Sequence, residues 1–334
     1  MACCLSSRQA CPRTELCPAP KRAIDTLDDS RTGVRSGISA RDGACFRPSH
    51  ASGNGPSVTD LAGVRVSPYA APQPMRRVRA RQVLSAFRQG SSWPVIVDTG
   101  SEHLFTKLHA TAHGSAPLIA EIVVGELADV LGLPTPARCL VEIEVGIHSL
   151  DPHEELHDLL QRSAGLNLGF QLLEGYRDLK PPDARHIRPE LAASIIWLDA
   201  LVQNPDRTQQ NPNLMIKAGR VSLIDNGAAL TFQYDWAHVS EQTPRQPGTF
   251  VDQHLLRVSP SQLEICDAEL APRLTREVLE RALAAVPDEY IVPLVPVGSN
   301  AARQRAAYVA YLWKRLRAPR PFVNPGQKLP FRYF

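Results

Sequence analysis

The chain has 334 residues, 43% hydrophobic, 6% aromatic and 21% charged, a globular composition long enough for one large domain or two modest ones. This excludes a fibrous chain, a small disulfide scaffold and a wholly disordered one. The 37 Lys and Arg nearly balance the 34 Asp and Glu, and a formal charge of +3 exerts no overall pull on nucleic acid or anionic membrane.

Residues 1–74 read as a disordered, low-complexity segment. Pro, Gly and Ser make up 23 of the first 80 residues, and neither a 2.0 nor a 3.6 periodicity is sustained, so too little apolar area is available to offset the ordering entropy. The same 80 residues carry 12 basic against 6 acidic side chains, which leaves the remainder slightly acidic. Cys3, Cys4, Cys11, Cys17 and Cys45 lie here, and an odd total of seven cysteines without repeated spacing gives no disulfide framework. There is no apolar core of a signal peptide and no run of 18 apolar residues, so the expected compartment is the reducing cytoplasm, with no membrane partner. Met75 stands directly before the first strand-like run and is a candidate translation start.

From Val78 the texture changes. VRARQVLSAF, PVIVDT and HLFTKL, separated by Gly/Ser turns, predict an antiparallel meander in which Lys107 shares a face with Phe105 and His103. PLIAEIVVGELADVLGLPTP repeats apolar residues at helical spacing and stops at Gly132 and Pro134. RCLVEIEV over 138–145 reads as a further strand. Beyond residue 150 the pattern is mostly helical: EELHDLLQRS, then PELAASIIWLDALVQN with Pro189 suited to an early helical position and Pro205 ending the run. Leu214–Ile216 and Val221–Ile224 form a hairpin around Lys217–Arg220, and amphipathic helices are expected near 274–285 and 300–317. RSAGLNLG, residues 162–169, reads as an interhelical connection that could serve as a substrate or regulatory loop.

The chemistry concentrates in NPDRTQQNPNLMIKAGRVSLIDNGAAL, residues 204–230. Asp206 follows a helix, Asn211 enters the hairpin and Asp225 leaves it. A carboxylate, an amide oxygen and a second carboxylate returned alongside by a hairpin can converge on one metal, the set that phosphoryl transfer from a nucleotide requires. Asp, Asn and Gly are also common turn formers, so each residue alone is weak. Upstream, Lys107 ends an apolar strand, and Glu121 lies between Ile119 and Ile122, where an unpaired charge is costly. Glu121 therefore needs a partner, and Lys107 is the candidate.

With these segments in order, QGSSWPVIV, FTKL, IAEIVVGELADVLGLPTP, RSAGLNLG, DALVQNPDRTQQNPNLMI and LIDNGAAL, the sequence resembles the HipA-like kinases. These belong to a protein-kinase-like superfamily that shares its DRxxxxN and DxG motifs with phosphoinositide kinases. The resemblance runs from about 76 to 320 and implies a two-lobed α+β protein-kinase-like fold, with a β-rich small lobe over 75–145, a mainly helical lobe over 146–325 and a tail over 326–334.

It implies a kinase that uses ATP and Mg2+. Gly90, Ser91 and Ser92 match the phosphate-covering loop, Lys107 the ATP-phosphate lysine and Glu121 its helix partner. Asp206 matches the catalytic aspartate, and Asn211 and Asp225 the metal ligands. Asn213 is read as a turn residue and possible helper, and the adenine hinge is expected near Leu140–Glu144. Asp206 lacks a preceding His-Arg, and Asp225-Asn226-Gly227 lacks the Phe usual in DxG. The acceptor implied is a protein Ser/Thr; a lipid or small molecule, or a catalytically silent nucleotide-binding module, are the alternatives. No nucleic-acid signature is present.

Overall fold

A computed structural model of the chain describes residues 75–88, 93–247 and 253–323. The N-terminal segment 1–74, the loop residues Gly90, Ser91 and Ser92, and the tail over 326–334 lie outside the described residues.

The expected meander is present: β2 (Gln82–Ala86), β3 (Val95–Asp98) and β4 (His103–Lys107) pair antiparallel in sequence. The first run breaks at Ala80-Arg81, and its leading part, β1 (Arg77–Arg79), crosses to the far side of the sheet to pair parallel with β5 (Arg138–Ile143). With β6 (His148–Ser149) and β7 (Gly165–Gln171) the sheet has seven strands in the order β1-β5-β7-β4-β3-β2-β6.

Helix α1 (Ala116–Leu131) joins β4 to β5. It has Pro117 in its first turn and ends at Gly132, whose φ of +73° takes the left-handed cap that glycine adopts without strain. It is apolar nearly all round and accordingly buried nearly all round, with Leu118, Ile119, Ile122, Val123 and Leu127 in the main core. Helix α2 (Glu154–Arg162) buries Leu156, Leu159 and Leu160 against Val83, Val95, Val97 and Leu104 of the sheet, forming a second, smaller core.

This arrangement corrects three expectations. The sheet does not end at residue 145, because β6, α2 and β7 all belong with it. The segment 162–169 is not a connecting loop, since most of it is β7, a central strand paired on both sides, with β4 and with β5. Residues 140–143 lie inside β5, so the crossing from sheet to helices, the place of a hinge, comes after Gln171 rather than at Leu140–Glu144. The sequence GLNLGFQ hides a strand because it has two glycines, an asparagine and no β-branched residue. Asn167 is fully buried yet satisfied. Its Nδ2 donates to the Ser163 and Gly165 carbonyls at 2.8 and 3.1 Å, and its Oδ1 accepts the His109 amide at 3.0 Å.

The helical part follows. Helix α3 (Pro189–Val202) ends at Gln203, and β9 (Leu214–Lys217) and β10 (Arg220–Leu223) form the expected hairpin. Ala218 and Gly219, at φ +48° and +77°, make its two-residue turn, with a backbone twist that suits a hairpin. β8 (Arg177–Asp178) pairs with β9. Then come α4 (Pro260–Leu270), α5 (Arg276–Ala284), α6 (Asp288–Ile291) and α7 (Ala301–Leu316), packed with α1 and α3 around the main core. Among the described residues no helix is long and apolar enough to cross a membrane.

Gly169 of β7 has no room for a side chain: a Cβ there would sit 2.5 Å from Val141 Cγ2 and 3.3 Å from Cys139 Sγ. Gly169→Ala is expected to destabilise the protein by about 1–3 kcal/mol through overpacking, measured as a lower midpoint in urea with an unchanged m-value.

Candidate functional site

Lys107 closes strand β4 and is 8% exposed, and Glu121 sits on the face of α1 turned toward it, 1% exposed. The ammonium donates to Glu121 Oε1 at 2.5 Å and to Asp225 Oδ1 at 2.6 Å. Burial works to lower the pKa of this lysine, and the two carboxylates outweigh it and hold it above the ordinary range, so the group is a fixed positive charge. The strand-borne lysine, the helix-borne glutamate and the aspartate at the hairpin exit thus meet at one point. The approach is close at Gly227, where a Cβ would come within 3.1 Å of Pro117 Cβ at the start of α1.

Asp206 lies in the loop between α3 and β9. Its Oδ2 accepts hydrogen bonds from Asn211 Nδ2 at 2.7 Å and from Asn213 Nδ2 at 3.0 Å. Asn213 is thereby more than a turn residue, although it does take the left-handed conformation, at φ +48°. Asn211 uses its NH2 toward Asp206 and keeps its carbonyl oxygen as an acceptor that could serve a cation. Asp225, with its side chain 52% exposed, offers a second hard oxygen ligand. Among the described residues no group of three or more His, Cys, Asp or Glu side chains forms a closed metal cage. An amide oxygen and one carboxylate, with phosphate oxygens completing the sphere, suit Mg2+, which is commonly held by one or two carboxylates and substrate phosphates.

These two groups are joined by a side chain that the sequence analysis did not single out. Arg207, 1% exposed, donates from Nε to Asp199 Oδ2 at 2.6 Å and from one terminal nitrogen to Asn226 Oδ1 at 2.7 Å. Its other terminal nitrogen donates to the Asn213 carbonyl and, at 3.4 Å, to that of Ile224. The Ile224 amide also donates to the Asn213 carbonyl at 3.1 Å. The loop carrying Asp206 and the hairpin exit carrying Asp225 are therefore fastened to each other and to α3. Asn226, in the place of the Phe usual in DxG, is explained by its bond to Arg207.

Asp199 is the acceptor at the base of this network. It also accepts from Asn204 Nδ2 at 3.0 Å and from His254 Nε2 at 3.0 Å. His254 Nδ1 accepts the Leu256 amide at 3.0 Å, which places the ring hydrogen on Nε2. Burial would raise the Asp199 carboxyl, and Arg207 and His254 outweigh it, lowering the pKa to about 2. The sequence signal was present, an Asp inside the apolar run IIWLDALV five residues before Asn204, but nothing local names His254 as a partner.

A family model described as HipA-like kinase matches residues 80–290, more than half of the chain. The chain belongs to the HipA-like kinase family. Among solved structures, a Helicobacter pylori proinflammatory kinase, CtkA, is similar, with a TM-score of 0.44 and 10% identity, covering 73% of this chain and 98% of that one. Among curated proteins none is significantly similar. Lys107, Glu121, Asp206, Asn211 and Asp225 all fall within the matched span.

Two outcomes test the network. Arg207→Met leaves Asp199 buried without its main counter-charge and is expected to lower the unfolding free energy by about 3–5 kcal/mol in denaturant titration. Asp199 has a folded pKa of about 2, below the ordinary carboxylate value of about 3.9. Its stabilisation is thus complete above about pH 4 and lost as the pH falls toward 2. The stability difference between wild type and Asp199→Asn should shrink as the pH falls between about 4 and 2.

Proposed function

We propose that this HipA-like kinase transfers the γ-phosphoryl group of ATP, in a Mg2+-dependent reaction, to a hydroxyl group, with a protein Ser or Thr as the acceptor the family resemblance implies. The observation that carries the reading is the Lys107 ammonium held between Glu121 and Asp225, next to a loop that presents Asp206 and Asn211.

In this reading Lys107, kept rigid by Glu121, fixes the phosphates by charge. The loop residues Gly90, Ser91 and Ser92 are assigned to covering them. Asn211 and Asp225 hold Mg2+, which supplies neutralisation of the phosphate oxygens when bound. Both amides converge on Asp206 Oδ2, which leaves Oδ1 to accept the proton of the acceptor hydroxyl as the new P–O bond forms and the bond to ADP breaks. Asn211 and Asn213 orient that carboxylate, so the group contributes by placement as much as by basicity. The compartment proposed is the reducing cytoplasm; Cys139 and Cys266 are buried, unpaired thiols.

ATP consumption and autophosphorylation by wild type, Asp206→Ala and Asp225→Ala test this. The expected result is turnover by wild type that falls by about 10²–10⁴-fold in Asp206→Ala with nucleotide binding retained, and loss of Mg2+-dependent nucleotide binding in Asp225→Ala. Tight nucleotide binding with the same background turnover in all three would instead identify a silent nucleotide-binding module. A panel of protein, phosphoinositide and metabolite acceptors separates the acceptor classes.

A further inference from the structure

Helix α7 lies beyond the span matched by the family model, yet its buried face reaches the elements that carry the site. Gln304, Tyr308, Tyr311, Leu312 and Arg315 share that face at helical spacing. Tyr311 donates from its hydroxyl to Gln203 Oε1 at 2.8 Å, and its ring stacks on Phe232 with centroids 3.7 Å apart. Gln203 is the left-handed residue, φ +55°, that ends α3 and turns the chain into Asn204. Asn204 in turn accepts the Asp206 amide at 3.1 Å. A continuous series of hydrogen bonds and peptide units therefore runs from Tyr311 to the backbone of Asp206.

Arg315 fixes the other end of this contact. It is completely buried, and among the described residues its hydrogen-bond acceptors are all main-chain carbonyls. The guanidinium donates to the carbonyls of Ala200 and Leu201, at 2.8 and 3.0 Å, which end α3, and to those of Pro244, Gln246 and Pro247 beyond the hairpin. A cation at a helix C-terminus meets the negative end of the dipole and the carbonyls left without intrahelical partners. The end of α3 is thus held from α7 at both its main chain and its capping side chain.

We propose that Tyr311 is a positioning residue for phosphoryl transfer, acting through Gln203 to fix the approach of the Asp206 loop, with Arg315 anchoring the helix end against which it works. The proposal rests on the phosphotransferase reading for its kinetic consequence, but not for its structural one.

Tyr311→Phe in the full chain keeps the stacking on Phe232 and removes only the hydroxyl. Tyr308→Phe is the matched control: its hydroxyl, on a side chain also buried on the same helix, donates to Gln233 Oε1 at 3.0 Å and not to the end of α3. The expected result for Tyr311→Phe is a Tm lowered by no more than about 5 °C, KM for ATP unchanged, and kcat reduced roughly 10- to 100-fold, with kcat of Tyr308→Phe close to wild type. Hydrogen exchange gives the readout that needs no activity: amides of 204–213 should exchange faster in Tyr311→Phe and not in Tyr308→Phe, while those of β7 stay unchanged in both. Equal exchange at 204–213 in wild type and Tyr311→Phe, or equal loss of kcat in the two variants, overturns the proposal. Faster exchange in a protein whose wild type transfers no phosphate sustains the anchoring and removes the phosphotransferase reading instead.

Discussion

A guanidinium without access to water is the constraint on which the rest of the site depends. Arg207 brings a full charge into the interior, where desolvation costs several kcal/mol unless each donor finds an acceptor. Its partners are drawn from α3, from the loop that follows it and from the exit of the hairpin. Their positions are thereby set by the geometry of one planar group. Asp225 lies between Ile224 and Asn226, both bonded to Arg207, and this brings it to the Lys107 ammonium. The polar cluster at the surface is a consequence of the polar cluster beneath it.

Backbone strain follows the same map. Among the described residues six non-glycine positions have positive φ, and four of them, Gln203, Asn213, Asp225 and Leu230, flank the Asp206 loop or the hairpin exit. Such conformations cost on the order of 1–3 kcal/mol each outside glycine and persist only where neighbours over-determine them. Here the neighbours are visible: Tyr311 holds Gln203, Arg207 and Asp206 hold Asn213, and Lys107 holds Asp225. The Leu230 amide donates to the Val202 carbonyl at 2.8 Å. Binding groups are aimed by a frame that would not choose these dihedrals unaided.

The meander, α1, α3, the hairpin and α7 were legible in the sequence because each carries a strong local signal: alternation, an apolar stripe, or a Gly or Pro stop. Lys107 and Glu121 could be paired from the cost of an unpartnered carboxylate on an apolar helix, and the spacing of Asp206, Asn211 and Asp225 followed from the hairpin between them. β7 was illegible because its strand character comes from the two strands that flank it, not from its own composition. Helix α4 was missed for a related reason. It buries only Leu263, Cys266 and Leu270 and leaves Ile265 70% exposed, which blurs the period. Arg207 and His254 read as ordinary polar residues because their burial is decided by elements distant in the chain, and Asn226 looked like a departure from a motif until its acceptor role was visible.

The seven-stranded sheet is bounded by β1, three residues long, and β6, two residues long. Margins this short offer few free backbone groups to another extended segment. Lengthening of this sheet by an added strand, the route that gives other peptide readers affinity without regard to side chains, is therefore disfavoured at both margins. On the phosphotransferase reading proposed above, a protein acceptor would be distinguished by side-chain complementarity at the residues flanking its hydroxyl, more than by its extended shape.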